Sequence, residues 1–419
     1  MSAVISGVAL WQALDSRGNP TVACRVSLDS GHSAKALAPS GASAGSHEAP
    51  FIRDGSTDYE GASVAAHLRS LSADIESGLV GVGVANPESI DQALREIDGS
   101  DRWSRIGGHV GTAVSVAAWL AYSAEQGLEP WQVIDEWTNA SPSLPVPMVN
   151  IVSGGAHAAA AVDIQDVLVI PSGVTSSEAA IESAWRVRRG TQAVMTGQGF
   201  ATALIADEGG LAASFADNEA AIRAVAEGVK EAGYALGTDA HLALDIAANE
   251  FALDRGGYRL DGQEISSGAL LEAIAGWCAR YSVASIEDPL SEDDDWGVVP
   301  GALGNYRVVG DDRYATSTTR LREGINRGEA NTVLIKPNQA GSLWSALQAL
   351  ETAQAAGWHT IVSARSGDTE ESWLADLAVG SGAGQIKVGS TMRSERTAKW
   401  NRLLELSALT SLPYHGIRL

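Results

Sequence analysis

The chain has 419 residues, 45% of them hydrophobic and 19% charged, enough for two domains with sizeable cores. Its formal net charge of −22 argues against nucleic acid as a partner, because phosphate backbones demand basic surfaces. No apolar stretch is long or clean enough to span a bilayer. The first twenty residues lack a basic region followed by an apolar run, so neither a membrane nor a secretory signal is expected. Cys24 and Cys278 stand far apart in no metal-ligand spacing, and two isolated thiols suit a reducing compartment, the cytoplasm.

Residues 1–135 read as α+β. Short strand-like stretches (Thr21 to Leu28, Ser33 to Ala38) precede helical ones (Ala62 to Leu71, Ser89 to Glu96, Gly111 to Glu125). The Ser/Pro-rich piece Ser141 to Pro147 marks a linker over 136–147. From 148 to 419 short apolar runs recur: Pro147 to Val152, Ile164 to Ile170, His241 to Ile246, Val283 to Glu287, Tyr306 to Gly310, Thr332 to Lys336, Thr360 to Ala364 and Gln385 to Gly389. The first two are joined by a short loop. Two helical segments follow, Ser176 to Val194 and Asn218 to Ala232, and strands and helices then alternate. Eight such strands predict a closed α/β barrel with an irregular β-β-α-α opening.

Charged residues end these runs. Asp245, Glu287 and Asp311 follow successive strands, and Lys336 and Lys387 belong to later ones. In barrels that edge opens into one shared mouth, where three carboxylates form an oxygen-rich site suited to Mg²⁺. Any single Asp after a strand is more often a helix N-cap, and a lysine there is usually solvated. Five such residues on nearly consecutive strands favour a metal-assisted barrel enzyme.

Ten short motifs carry a more specific signal. They are Asp15-Ser-Arg-Gly-Asn-Pro-Thr21, Pro39-Ser-Gly-Ala-Ser-Ala-Gly-Ser-His-Glu48, Gly154-Gly-Ala-His157, Asp207-Glu-Gly-Gly210 and Leu244-Asp-Ile-Ala-Ala248, then Ser285-Ile-Glu-Asp-Pro-Leu290, Gly310-Asp-Asp312, Leu334-Ile-Lys-Pro-Asn-Gln339, Ser363-Ala-Arg-Ser-Gly367 and Gly384-Gln-Ile-Lys-Val-Gly389. In order and separation they resemble the enolase family along almost the whole chain. The resemblance implies an α/β fold, an enolase-type ββαα(βα)₆ barrel with an N-terminal α+β capping domain. It implies that Asp245, Glu287 and Asp311 hold a first Mg²⁺, and that Ser43, in the loop Ser40 to Ser46, helps hold a second, substrate-dependent one. Lys336 is then the base that takes the proton α to a carboxylate, and Glu208 the general acid on the opposite face. Such a base must be neutral, and neighbouring positive charge is expected to lower the pKa of Lys336. Lys387 binds the substrate carboxylate, Arg365 and Ser366 the phosphate, and Ala42 and Ser43 line the same substrate site. His157 belongs to a loop that closes over the site, and Asp166 supports Glu208. A homodimer is also implied.

Two positions depart from the family pattern. Alanine, Ala364, stands where the family has an active-site histidine, and Asp166 replaces a glutamate. His359 lies at the wrong end of its strand to substitute. Metal ligands, base and anion-binding cations survive, while the side that expels hydroxide has changed. The leading expectation is a diverged enolase homologue of the carboxyphosphonoenolpyruvate synthase type, which acts on a small anionic phospho-acid with a nucleotide-activated phosphonate as co-substrate. A phosphopyruvate hydratase, interconverting 2-phosphoglycerate and phosphoenolpyruvate, is the second reading, and a non-catalytic enolase-fold binding protein the third.

Overall fold

A computed structural model describes residues 3–42, 45–159 and 161–417. The N-terminal part carries a three-stranded antiparallel sheet in the order β1 (Ile5–Leu14), β2 (Pro20–Leu28), β3 (Ser33–Leu37). The central strand β2 is almost wholly buried. β1, absent from the sequence reading, is an outer strand whose apolar residues do not alternate, and Trp11 and Leu14 remain exposed. With one face only partly covered it lacks the period-two signature of a half-buried strand.

Helices Ala65–Leu79 and Gly108–Gln126 pack on the sheet, and Pro87–Asp98 packs on both of them. Gly108–Gln126 is buried nearly all round, packed on β2 and β3 on one side and on the barrel on the other. A Cβ on Gly111 would stand 2.3 Å from the carbonyl oxygen of Gly341. Only glycine permits that approach, which seats this helix against the turn following Lys336. A further helix, Pro130–Thr138, begins at its Pro and ends on left-handed Asn139. It runs into the segment expected to be a linker, leaving 139–145 as the irregular connection.

The barrel strands are β4 (Val146–Ser153), β5 (Asp166–Pro171), β6 (Ala240–Asp245), β9 (Val283–Glu287), β10 (Arg307–Gly310), β11 (Thr332–Ile335), β12 (His359–Ser363) and β13 (Gln385–Gly389). A small hairpin, β7 (Tyr258–Leu260) with β8 (Gln263–Ile265), lies outside them. The eight close in the order β10-β11-β12-β13-β4-β5-β6-β9, around an interior of Val146, Met148, Leu168, Ile170, Ala243, Val309, Leu334 and Ile361. β5 runs antiparallel to both neighbours and all other pairs are parallel. This is the expected ββαα(βα)₆ arrangement. Outer helices start at side-chain caps supplied by Ser176, Asp217, Ser266 and Ser342. The strand-end acids Asp245, Glu287 and Asp311 are therefore not spent on capping those helices. Among the described residues no helix is long and apolar enough to cross a membrane.

Candidate active site

Register builds the site. Asp166 pairs with Asp245, and Asp245 with Glu287, so three carboxylates from β5, β6 and β9 lie side by side at one rim. Asp166 reaches that rim from the first residue of its strand because β5 is reversed. Across the mouth Ser363 pairs with Lys387. Gly41, Ala42, His157, Gln165, Glu208, Asp245, Asp311, Lys336, Ala364, Arg365, Ser366 and Lys387 line the resulting cleft together with Asp288 and Asp312. Ser43, assigned to substrate and to a second metal, lies outside the described residues.

Opposite charges close the cleft to about 30 Å³ of free space, roughly enough for two waters. Lys387 Nζ donates to Asp245 Oδ2 and Glu287 Oε2, both at 2.7 Å. Burial works against its charge, but Asp245 and Glu287 override it and hold Lys387 well above the ordinary lysine range. Lys336 pairs with Asp311. Burial, the largest effect, lowers its pKa, as do Arg365 and Lys387, yet Asp311 and Glu287 together make the net shift upward. The base was expected to have a pKa lowered by neighbouring cations, and the structure reverses that sign while Asp311 is its partner.

Acid exceeds base here. Burial first, then Asp245, raises Glu287 well above its usual range. Burial with Asp312 and Asp311 does the same to Asp288, and burial with Asp311 pushes Asp312 up to about 7. Crowded, dehydrated carboxylates of this kind are satisfied by a hard divalent cation. The oxygen-rich donor set fits Mg²⁺. Asp245 and Glu287 already straddle one positive charge, the Lys387 ammonium. The three expected ligands do not converge as a single group, since lysines stand between them. Among the described residues, the groups whose ligand atoms lie within 4.8 Å of one another are Asp288 with Asp311 and Asp312, and His157 with Asp166 and Glu208. Asp288 and Asp312 were not singled out from sequence, although each follows a nominated acid directly. Asp288 also accepts the backbone N–H groups of Asp311 and Asp312 at 2.9 and 2.8 Å, which sets the loop after β10.

The opposite corner holds His157, Asp166 and Glu208, all buried. His157 Nδ1 lies 3.1 Å from Asp166 Oδ2, and its Nε2 4.0 Å from Glu208 Oε1. Asn150 and Ser153 hydrogen-bond the other Asp166 oxygen. Burial opposes a charged imidazole, but Asp166 and Glu208 raise His157 to about 9. Burial raises Glu208, whereas His157, Arg396 and Lys387 bring it below its usual value. Burial also raises Asp166 despite His157, so the proton belongs to the His157–Asp166 pair and Glu208 rests as a carboxylate. An acid must hold a proton before giving one, so Glu208 depends on His157 for that role. Ala364, 7% exposed, lines the same cleft, its N–H donating to Lys387 O at 2.8 Å.

The anion side is drawn from segments far apart in the chain. Arg365 grips Glu48 through two hydrogen bonds of 2.9 and 3.0 Å. The Ala42 N–H donates to Ser366 Oγ at 2.6 Å, and Ser40 and Gly367 exchange backbone hydrogen bonds at 2.7 and 2.8 Å. A Cβ on Gly367 would lie 2.5 Å from Asp15 Oδ2, so the stitch requires glycine. Gln339 Nε2 joins Asp311 Oδ1 and Glu48 Oε1 at 2.8 and 3.2 Å. Arg396, fully buried, donates to the carbonyls of Arg365, Val388 and Ser366 at 2.7, 2.9 and 2.6 Å and lies 3.9 Å from Glu208. Glu48 and Gln339 end two of the ten motifs but were given no role. Arg396, on helix Ser394–Leu409, had no sequence signal, since its spacing looks like any other helix position.

Two family models match, "Enolase, N-terminal domain" over residues 5–134 and "Enolase, C-terminal TIM barrel domain" over residues 141–417. Together they take in nearly the whole chain, and the second coincides with the closed barrel whose rim carries these carboxylates and lysines. The chain belongs to the enolase family.

Proposed function

We propose that this enolase-superfamily enzyme is Mg²⁺-dependent and activates a small phospho-acid resembling 2-phosphoglycerate or phosphoenolpyruvate in a carboxyphosphonoenolpyruvate synthase-type step: a P–O bond forms between an oxygen of that acid and the phosphorus of a nucleotide-activated phosphonate as the P–O bond to the nucleotide breaks, and the nucleoside monophosphate leaves. The observation that carries the reading is Ala364. A methyl group faces the cleft where the family has an imidazole, beside an otherwise intact set of base and anion-binding residues.

On a 2-phosphoglycerate-like substrate Lys336 takes the proton α to the carboxylate, a proton phosphoenolpyruvate lacks; Lys387 pairs with the carboxylate, and Arg365 with Ser366 receives the phosphate. For Arg365 this means exchanging Glu48 for substrate oxygens. Asp245, Glu287 and Asp311 would hold Mg²⁺ once released from Lys387 and Lys336, with Ser43 for a second ion, and the metal would supply positive charge to offset the second negative charge on the carboxylate. Asp311 and Glu287 together hold Lys336 protonated, so weakening the Asp311 pair would favour its neutral amine. A Lys base working beside Mg²⁺ is the established scheme of enolase-superfamily sites, and this part of the reading follows it. The cleft, closed to about 30 Å³, would have to open beside Ala364 for a second substrate to enter.

A phosphopyruvate hydratase is the second reading, favoured by one observation: the His157–Asp166 pair still places a proton beside Glu208. The deciding experiment is the ultraviolet assay of phosphoenolpyruvate formation from 2-phosphoglycerate with Mg²⁺, run beside a housekeeping enolase, with α-proton exchange measured in D₂O. Exchange without comparable dehydration supports the synthase-type reading. Dehydration at a comparable rate supports the hydratase and demotes Ala364 to a tolerated substitution.

A further inference from the structure

Beside the cleft stand three side chains that the roles proposed above leave unused. Glu48, Thr316 and Gln339 line a separate cavity of about 550 Å³, while the residues they bond, Asp311, Lys336 and Arg365, line the cleft itself. Gln339 is the meeting point. Its Nε2 donates to Asp311 Oδ1 at 2.8 Å and to Glu48 Oε1 at 3.2 Å, so both amide hydrogens go to carboxylates. Its Oε1 accepts from Thr316 Oγ1 at 2.7 Å. Its backbone carbonyl accepts the Ala49 N–H at 2.8 Å, which ties the segment carrying Glu48 to the turn after Lys336.

Thr316 fixes which way that amide points. Its Oγ1 accepts the Lys336 N–H at 3.0 Å, so its own hydrogen is left for Gln339. Carboxylates only accept, and the amide cannot turn over without setting its oxygen against Asp311 and Glu48. Thr316 is buried at a φ of +50°, directly after Ala315 at +45°. A β-branched residue in the left-handed region is strained, and such strain persists where the surroundings over-determine it. Here the strained turn joins Asp311 to helix Thr318–Arg327 and puts the hydroxyl between Lys336 and Gln339.

Asp311 and Glu48 carry like charge, and each holds a cation of the site. Asp311 pairs with Lys336 through Oδ2, leaving Oδ1 to Gln339, and Glu48 pairs with Arg365. We infer that Gln339, oriented by Thr316, is a positioning residue for both halves of the site: its amide keeps Asp311 and Glu48 in place while Lys336 and Arg365 exchange them for substrate. Each buried carboxylate then retains a donor when its cation turns away, which lowers the cost of both exchanges. This inference rests on the roles proposed above for Lys336 as base and Arg365 as phosphate ligand.

The test uses the full chain with Mg²⁺ and two readouts. Calorimetric binding of phosphoenolpyruvate reports on the anion half, and α-proton exchange of 2-phosphoglycerate in D₂O on the base half. Gln339→Met keeps the length of the side chain without its amide. It should weaken phosphoenolpyruvate binding and lower the exchange kcat, each by about tenfold or more. Thr316→Val keeps the branched shape, removes the hydroxyl and should move both readouts the same way, whereas Thr316→Ser should recover most of that loss. Both residues act through one amide, so adding Thr316→Val to Gln339→Met should cost little more than Gln339→Met alone. A folded Gln339→Met that changes one readout only, or neither, overturns the inference, as does full additivity. If Gln339→Met does not fold, Thr316→Val and Thr316→Ser decide, and equal readouts for those two overturn it. A parent chain that fails to bind phosphoenolpyruvate, or to exchange the proton, removes the roles proposed for Arg365 or Lys336 and the inference with them; variants failing beside a competent parent remove the inference alone.

Discussion

Asp166 and Asp245 face each other across the antiparallel pair β5–β6, one beginning its strand and the other ending it. Both carboxylates reach the same rim, Asp245 against Lys387 and Asp166 against His157. The cation-binding half and the proton-holding half of the site therefore meet at one register position.

That position can be used to restore what the chain has lost. Ala364→His combined with Asp166→Glu returns both departures to the family pattern. Dehydration of 2-phosphoglycerate should rise by about a hundredfold, the range of a positioned acid–base group. The readout is phosphoenolpyruvate absorbance. No gain would mean that the divergence extends beyond these two side chains.

Lys336→Ala should abolish α-proton exchange in D₂O. The variant leaves buried Asp311 without its ammonium, so its melting temperature should fall in the absence of Mg²⁺ and recover when Mg²⁺ is added. Persistent exchange in a folded variant would remove Lys336 as the base.

Cation binding has a readout independent of turnover. Millimolar Mg²⁺ should raise the melting temperature, because a ligand that binds only the folded state stabilises it by mass action. Glu287→Gln should shrink that rise. An equal rise in the variant would place the ion elsewhere.

Arg396 donates to the carbonyls of Arg365 and Ser366 and to that of Val388, the neighbour of Lys387, so it acts as a positioning residue. Arg396→Lys keeps the charge but cannot serve three carbonyls in the guanidinium geometry. KM for the phospho-acid should rise by about tenfold or more with a smaller change in kcat. A fall in kcat alone would point instead to its contact with Glu208.

His109 gives a pH prediction away from the site. It is buried against Phe51, with ring centroids 4.2 Å apart, and neither ring nitrogen makes a full hydrogen bond. Burial, helped by His67 and Arg53, lowers its pKa to about 3. Above pH ~6.5 it is neutral in both states and contributes no pH dependence. As pH falls below ~6.5 the unfolded chain binds a proton that the folded chain refuses. Stability then drops by up to about 1.4 kcal/mol per pH unit from this residue, until the pH nears the folded value. Denaturant unfolding at pH 7 and pH 5 should show a shallower loss for His109→Phe than for the parent. Parallel losses would exclude His109 as an acid-sensitive group.

The eight barrel strands were legible because each is a short apolar run ending in turn or charged residues, a local pattern that does not depend on neighbours. Motif order likewise located Lys336, Lys387, Asp245, Glu287 and Asp311, since these are properties of sequence. β1 was not legible, because an outer strand with mixed exposure carries no clean period. Charge states were not legible either. Whether Lys336 is raised or lowered depends on how near Asp311 stands compared with Arg365 and Lys387, and whether the proton rests on His157 or Glu208 depends on which carboxylates surround the imidazole. The contacts of Glu48, Gln339 and Arg396 around the site come from barrel closure. Closure brings together residues far apart in sequence, and pairwise electrostatics follow distance in space rather than separation along the chain.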